Sequence, residues 1–332
     1  MIRSIARTGA ITILLAVLTA CGSAPTAAPA PTSAPAAASD SASATRTVKH
    51  AMGTAVVPVN PQRVVVLDSG ELDAALALGV KPVGSFTLFE GEDFLSYLQD
   101  NMQGVQPVGT ISEPNLEAIA ALKPDLILSN KVRHEAIYDK LSAIAPTVFA
   151  ENIGAVWKEN FKLYAEALGK QQEAEQVVAN YNARLAAFKQ RMGERLNTEV
   201  SVLRVVEDGV RIMQKNMYIG VILADAGLAR PPMQNKDGRF EVVSFEKIPQ
   251  MDGDVIFISF YGKNKAALQQ LLAQPLWQAN KAVAAGKVYQ VNDDVWQTGL
   301  GFMAANLVID DLEKYLLPSS ASVIGMQLGQ SS

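Results

Sequence analysis

The chain has 332 residues, 49% of them hydrophobic and 19% charged. That is enough core for one large or two medium domains, and it excludes a largely disordered protein. A net charge of −4 excludes the basic excess of a nucleic-acid binder, and one cysteine with two histidines excludes disulfide frameworks, Cys/His zinc sites and thiol redox pairs.

Residues 1–20 have the build of an export signal. Arg3 and Arg7 open it, and the apolar run Ala10–Leu18 is too short to span a bilayer. The next residues, Leu18-Thr19-Ala20-Cys21, resemble a bacterial lipobox, which makes the single cysteine, Cys21, the expected lipidation site. Gly22 to Thr45 is almost entirely Ala, Pro, Ser and Thr, so residues 21–46 are expected to form a tether without a core. The implied location is outside the cytoplasm, held by lipid to the bacterial cell membrane and facing the periplasm or the cell exterior.

From Arg63 onward strands and helices alternate. Arg63–Leu67 is a β-branched run of the kind found in buried parallel strands. Leu72, Ala75, Leu76 and Leu78 follow at helical spacing, and Gly79 ends that helix. Val83-Gly84 opens a second strand. Asn115 is placed to cap a helix over 116–122 that stops before Lys123-Pro124. Strands are expected at 125–128 and 147–149, with a helix over 135–144 between them. Residues 157–196 contain no proline and read as two helical pieces jointed at Gly169, long enough to cross between lobes. Further strands are expected at 200–203, 255–258 and 288–291, and a last helix runs from Phe302 to Leu316. The expected fold is α/β: two lobes with mostly parallel sheets, an N-terminal lobe over 47–155 and a C-terminal lobe over 197–318. Helices over 156–196 connect them, a ligand cleft lies between them, and a tail covers 319–332.

Several stretches, in order, resemble ferric-siderophore-binding lipoproteins of ABC importers. They are Asn60–Leu67 with Ala77–Gly84, Asn115-Leu116-Glu117 with Leu122–Ile127, Arg133-His134-Glu135, Gly220–Leu223 with Ala226-Gly227-Leu228, Pro249–Asp254, and Gly286–Tyr289 with Trp296. The likeness covers roughly residues 47 to 317. It implies a solute-binding protein rather than an enzyme, with no cofactor of its own. The ligand is an Fe(III)–siderophore complex whose iron is held by the siderophore, not by protein ligands. The implied partners are an ABC permease with its ATPase and the membrane, with the protein itself a monomer.

The resemblance points to Arg133 and Arg204 as siderophore contacts, since guanidinium pairs with carboxylates. Arg204→Ala is expected to weaken binding with little effect on stability if that side chain faces an open cleft. Tyr261, Trp296, Trp157 and Tyr218 are aromatic candidates for the same cleft, and His134 reads as a local hydrogen-bonding residue. Relatives that bind carboxylate-rich siderophores carry arginines around Asn292–Gly301; here only Gln297 and Thr298 stand there. That favours a ferric hydroxamate or a citrate–hydroxamate complex. Glu117 and Glu246 match the glutamates through which each lobe of such proteins meets permease arginines.

Other cargoes compete with this reading. Zinc and manganese binders need more histidines than His50 and His134, whereas haem or cobalamin carried by the same class of importer is the main alternative. Gly299-Leu300-Gly301-Phe302-Met303-Ala304 matches a dinucleotide-binding pattern at a helix start, yet no βαβ unit follows it, so close helix packing explains it better. A scaffold or adhesin would show no small-ligand thermal shift.

Overall fold

A computed structural model describes residues 44–317, apart from Asp208 and residues 263–265. The export signal, Cys21, most of the tether and the tail from 319 lie outside the described residues. The described chain begins with a hairpin, β1 (Thr45–His50) and β2 (Gly53–Pro58), so regular structure starts two residues before the expected lobe boundary.

The first half then alternates as its hydrophobic runs require. The succession is β3 (Val64–Val66), α1 (Ser69–Ala77), β4 (Gly84–Thr87), β5 (Gln106–Thr110), α2 (Leu116–Ala121), β6 (Leu126–Asn130), α3 (Lys131–His134), α4 (Tyr138–Ile144) and β7 (Thr147–Ala150). The five strands form one parallel sheet in the order β5-β4-β3-β6-β7. Every residue of β3, β6 and β7 is buried, as expected of strands covered on both faces. Asn115 caps α2 by accepting from the Ala118 amide at 3.0 Å, as its position before the apolar run implies. The single helix expected over 135–144 is instead a tight turn at 135–137 followed by α4.

The chain leaves this sheet through α5 (Trp157–Leu168) and α6 (Gln171–Met192). Gly169 between them adopts φ 72°, a left-handed conformation, and a Cβ there would strike the Arg46 guanidinium and the Val59 carbonyl. At 1.5 Å per residue α6 spans about 33 Å, enough to carry the chain from one sheet to the next.

The second half holds β8 (Val200–Val206), β9 (Gly209–Met213), α7 (Tyr218–Asp225), β10 (Phe240–Val243), β11 (Val255–Phe260), α8 (Ala266–Leu272), α9 (Pro275–Gln278), α10 (Lys281–Ala284), β12 (Val288–Gln290) and α11 (Phe302–Leu316). Its sheet runs β10-β9-β8-β11-β12, parallel from β8 to β12, with β9 and β10 added antiparallel at one edge. Those two strands and β5 were not expected from the sequence. Each is short and lies at or beside a sheet edge, where the hydrophobic run is broken by Pro107, Arg211 or Glu241.

The two sheets share one continuous core, and its centre is aromatic. Trp157, Tyr218 and Phe302 are the first residues of α5, α7 and α11, and all three are at most 1% exposed. Trp157 meets Phe302 edge-on at 4.6 Å and Tyr218 at 5.4 Å, while Tyr181 of α6 closes against Trp157 and Phe302. Such ring pairs add to burial energy through their quadrupoles. Beside this knot, the Asp73 carboxylate of α1 accepts from the Met303 and Ala304 amides at 2.9 and 3.0 Å, so it caps α11 from a separate part of the chain.

Candidate functional site

A cleft of about 330 Å³ opens where the C-terminal ends of the central strands meet. Four arginines line it: Arg133, Arg204, Arg211 and Arg239. Tyr261, Gln297 and Thr298 complete its polar wall, and no carboxylate lines it among the described residues. Arg133 sits on α3 directly beyond β6, and Tyr261 directly follows β11. Gln297 and Thr298 come from a π-helical turn, 294–298, that follows β12. This is the crevice at the carboxyl ends of strands where open α/β sheets take ligands.

Arg204 does not follow its strand, as expected, but lies within β8. Its guanidinium is also committed. It donates through Nε (2.9 Å) and Nη2 (2.5 Å) to the two oxygens of Asp293, and Nη2 also reaches the Thr298 hydroxyl at 3.0 Å. Ser259 donates to Asp293 at 2.8 Å, and the Tyr261 ring lies 4.3 Å from the guanidinium. With side chains only 12% and 10% exposed, this is a buried ion pair, so the expectation of an Arg204 free of structural duty is corrected. Arg133 is paired through Nε at 2.5 Å to Asp68, which is fully buried, but a third of the Arg133 side chain remains exposed toward the cleft.

The sequence reading missed Arg211 and Arg239. Arg211 stands directly opposite Arg204 across the β8–β9 pair, a like-charge register that is unfavourable unless an anion accompanies it. Asp293 serves Arg204, whereas Arg211 rests against Phe240 at 4.7 Å from the ring. Arg239 is exposed just before β10. Counting Asp68 and Asp293 against four guanidiniums leaves two cations in excess, inside a chain of net charge −4. The cations absent from 292–301 are therefore supplied by β9 and the approach to β10. For Arg211, its place between Val210 and Ile212 in a short alternating strand was the available signal.

Three expected aromatic contacts are corrected by burial. Trp157 and Tyr218 belong to the knot below the cleft floor, where the Tyr218 hydroxyl donates to the Gly301 carbonyl at 2.7 Å. Trp296 is fully buried, stacked on Phe257 at 4.5 Å, with its indole N–H donated to Asp311 at 2.8 Å. Trp157 and Tyr218 begin helices whose starts point into the joint between the sheets, whereas Trp296, in the π turn after β12, turns onto β11 and α11. Tyr261 alone of the four rings lines the cleft, and Phe89 meets it at 5.5 Å from the first sheet.

Beneath Arg133 lies a buried polar cluster. Asn130 donates to Asp68 at 2.7 Å and to Glu71 at 3.3 Å, and the Tyr164 hydroxyl donates to Glu71. Burial, then the charge of Asp68, raises the Glu71 carboxyl to about 7, with the Tyr164 hydrogen bond opposing. Asp73 is raised to about 6 by burial despite its amide and Tyr97 donors. His134 is 2% exposed. Its Nε2 donates to the Ile111 carbonyl at 3.0 Å, so its Nδ1 accepts from Ser129 at 2.6 Å. The ring is neutral, burial lowers its pKa, and it ties the Arg133 turn to the cleft wall.

The dinucleotide-like run has a structural explanation. A Cβ on Gly301 would collide with Asp73 and one on Gly299 with Ala304, so both glycines allow close packing. The α11 N-terminus that a phosphate would need is already occupied by Asp73. Glu117 and Glu246 are exposed and far from this chemistry in the chain. Each follows an edge strand, β5 or β10, of its own sheet. The Ser244 side chain holds the Glu246 carboxyl below its ordinary range. Among the described residues no group of three or more His, Cys, Asp or Glu could hold a metal ion, and no helix is long and apolar enough to cross a membrane.

Two sheets joined by a long helix with a cationic cleft between them define a solute-binding protein of the transport type. Residues 64–295 match the periplasmic binding protein family, to which the chain belongs. It is 45% identical over 288 residues to the probable siderophore-binding lipoprotein YfiY of Bacillus subtilis, a match spanning 83% of this chain and 89% of that protein. It is 31% identical over 273 residues to the Fe(3+)-citrate-binding protein YfmC of the same organism, covering 81% and 85%. Among solved structures it is similar to Staphylococcus aureus SirA complexed with staphyloferrin B. The TM-score is 0.74 and the identity 33%, over 82% of this chain and 98% of that one. The family comprises substrate-binding transport proteins, not enzymes.

Two outcomes follow from the site. Arg204→Ala strands the Asp293 carboxylate in a buried setting, so it should lower unfolding free energy by about 3–5 kcal/mol in urea titrations; an unchanged midpoint would show the pair to be dispensable. Glu71 has a folded-state pKa above its ordinary 4.5, so its contribution to stability is full below about pH 4.5 and is lost as pH rises through about 7. Glu71→Gln, which keeps the neutral form's shape, should therefore gain stability relative to the parent as pH rises from 5 to 8, reaching about 3 kcal/mol. Parallel melting-temperature profiles across that range would contradict it.

Proposed function

We propose that this protein captures an anionic ferric siderophore outside the cytoplasm and hands it to an ABC permease with its ATPase for iron uptake. The observation that carries the reading is the cleft's two-cation excess with no lining carboxylate. A siderophore already fills the coordination sphere of its iron, so the protein has only to recognise the outside of the complex. Among the described residues, Arg211 and Arg239 are the cleft guanidiniums without a carboxylate partner, and they are assigned to the ligand's carboxylates. Arg133 adds its exposed face. Arg204 and Tyr261 form a fixed cationic and aromatic wall. Of the two ligand classes expected from the sequence, a complex with carboxylates, such as a citrate–hydroxamate, suits this charge, and an uncharged hydroxamate does not. The names of the relatives, which refer to siderophore and Fe(3+)-citrate binding, support the cargo.

The same reading assigns Cys21 to a lipid anchor, with one relative named a lipoprotein. The protein works as a monomer and needs no cofactor. Glu117 and Glu246, one beside each sheet, are the contacts to permease arginines.

Native mass spectrometry against ferric citrate, ferric staphyloferrin B and a ferric trihydroxamate, with haem and cobalamin as controls, tests the cargo. Retention of an anionic ferric complex is expected, and Arg211→Ala or Arg239→Ala should weaken it by about 1.5–3 kcal/mol. Retention of haem or cobalamin alone would overturn the assignment. Glu117→Ala with Glu246→Ala should leave that binding intact and abolish radioactive-iron uptake in cells, and added salt should weaken the parent's permease complex more than the double variant's; normal uptake would remove the docking role.

A further inference from the structure

Among the described residues, two cleft-lining side chains keep buried polar atoms without a hydrogen-bond partner: Arg211 at Nε, and Gln297 at both Oε1 and Nε2. Gln297 is 4% exposed. Its neighbours on the same segment are all engaged. Trp296 donates to Asp311, Thr298 accepts from Arg204 and bonds Asp293, and Asp293 is taken by Arg204 and Ser259. A buried amide left empty at both ends is a cost that any apolar side chain of similar shape would remove. It is carried on a π turn, an irregularity that recurs at functional sites.

The chemistry of the amide restricts what can satisfy it. Nε2 donates and Oε1 accepts, within one plane and without charge. A carboxylate could pair with the first but would set its lone pairs against the second. An amide or hydroxyl of the ligand skeleton satisfies both. We infer that Gln297 is a specificity-determining residue of the cleft, whose amide pairs with an uncharged amide or hydroxyl group of the bound siderophore while the unpartnered arginines take its carboxylates. This deepens the proposed function and rests on it. It divides the cleft into an anion-reading side, on β9 and the approach to β10, and a neutral side on the π turn. It also accords with the lack of arginine at 292–301, since a neutral ligand group needs no cation beside that turn.

Gln297→Met keeps length and volume while removing both polar ends. In the full chain, the variant free of ligand should melt about 2–4 °C higher, and its dissociation constant for ferric staphyloferrin B or ferric citrate, whichever the parent binds more tightly, should rise about tenfold, or about 1.4 kcal/mol. Opposed shifts in stability and affinity are the signature of an amide kept for its ligand. An unchanged dissociation constant, or a lower melting temperature, overturns the role of Gln297. Arg211→Ala measured beside it separates the two readings: loss of binding there with none in Gln297→Met leaves the cargo assignment standing and removes this one. A parent protein that retains neither ferric complex overturns both.

Discussion

Asp73 holds the molecule's two halves in register. Its carboxylate, fully buried on α1 among the helices of the first sheet, accepts from amides in the first turn of α11, the last of the described helices. Tyr97 donates to the same carboxylate at 2.9 Å and to the Gly299 carbonyl at 3.3 Å. Backbone groups that every helix start leaves unpaired are thus satisfied from across the joint. The aromatic knot of Trp157, Tyr181, Tyr218 and Phe302 packs beside this cap, so polar and apolar terms favour the same arrangement. Ser96 and Asn292 extend the seam: the Ser96 amide reaches Asp294 at 2.8 Å, and Asn292 reaches the Ser96 hydroxyl at 3.0 Å.

A joint built in this way gives the cleft a defined width, and its charges are arranged accordingly. Two of the four guanidiniums are anchored by buried carboxylates, Asp68 and Asp293, which set their position and cancel their charge. The other two are supported by a ring face or by solvent. The site therefore combines a rigid frame with free cations, and its potential attracts anions to a protein that is acidic as a whole. Because the Arg204 pair is desolvated, its removal is felt first by the fold, whereas Arg211 and Arg239 can be felt by the ligand alone.

Much of the architecture was legible in the chain. Strands β3, β6, β8 and β11 announce themselves as short, largely apolar runs, because both their faces are covered. Asn115, Gly79 and Gly169 mark helix ends through local chemistry that needs no tertiary partner. Strands β5, β9 and β10, at or beside a sheet edge, were not legible, since a partly exposed strand of four or five residues has no clear hydrophobic signature. Of the expected cleft residues, Arg133, Arg204 and Tyr261 do line it. Trp157, Tyr218 and Trp296 do not, because an aromatic residue at a helix start or in a turn after a strand carries no sign of whether it faces the cleft or the core.

The sequence by itself determined the α/β alternation, the helical bridge jointed at Gly169 and membership in a family of binding proteins. These follow from periodicity, capping residues and ordered short motifs, all properties of neighbouring residues. Tertiary structure decided which charges are free. Asp293 is 89 residues from Arg204, and Asp68 is 65 from Arg133, so no local pattern reveals that these arginines are spoken for. Nor does any pattern reveal that Arg211, placed opposite Arg204 by antiparallel register, has no such partner among the described residues, or that the Gln297 amide is buried unpaired among them. Pairing and desolvation depend on what the fold brings within a few ångströms, and that is settled only when the two sheets close on their common core.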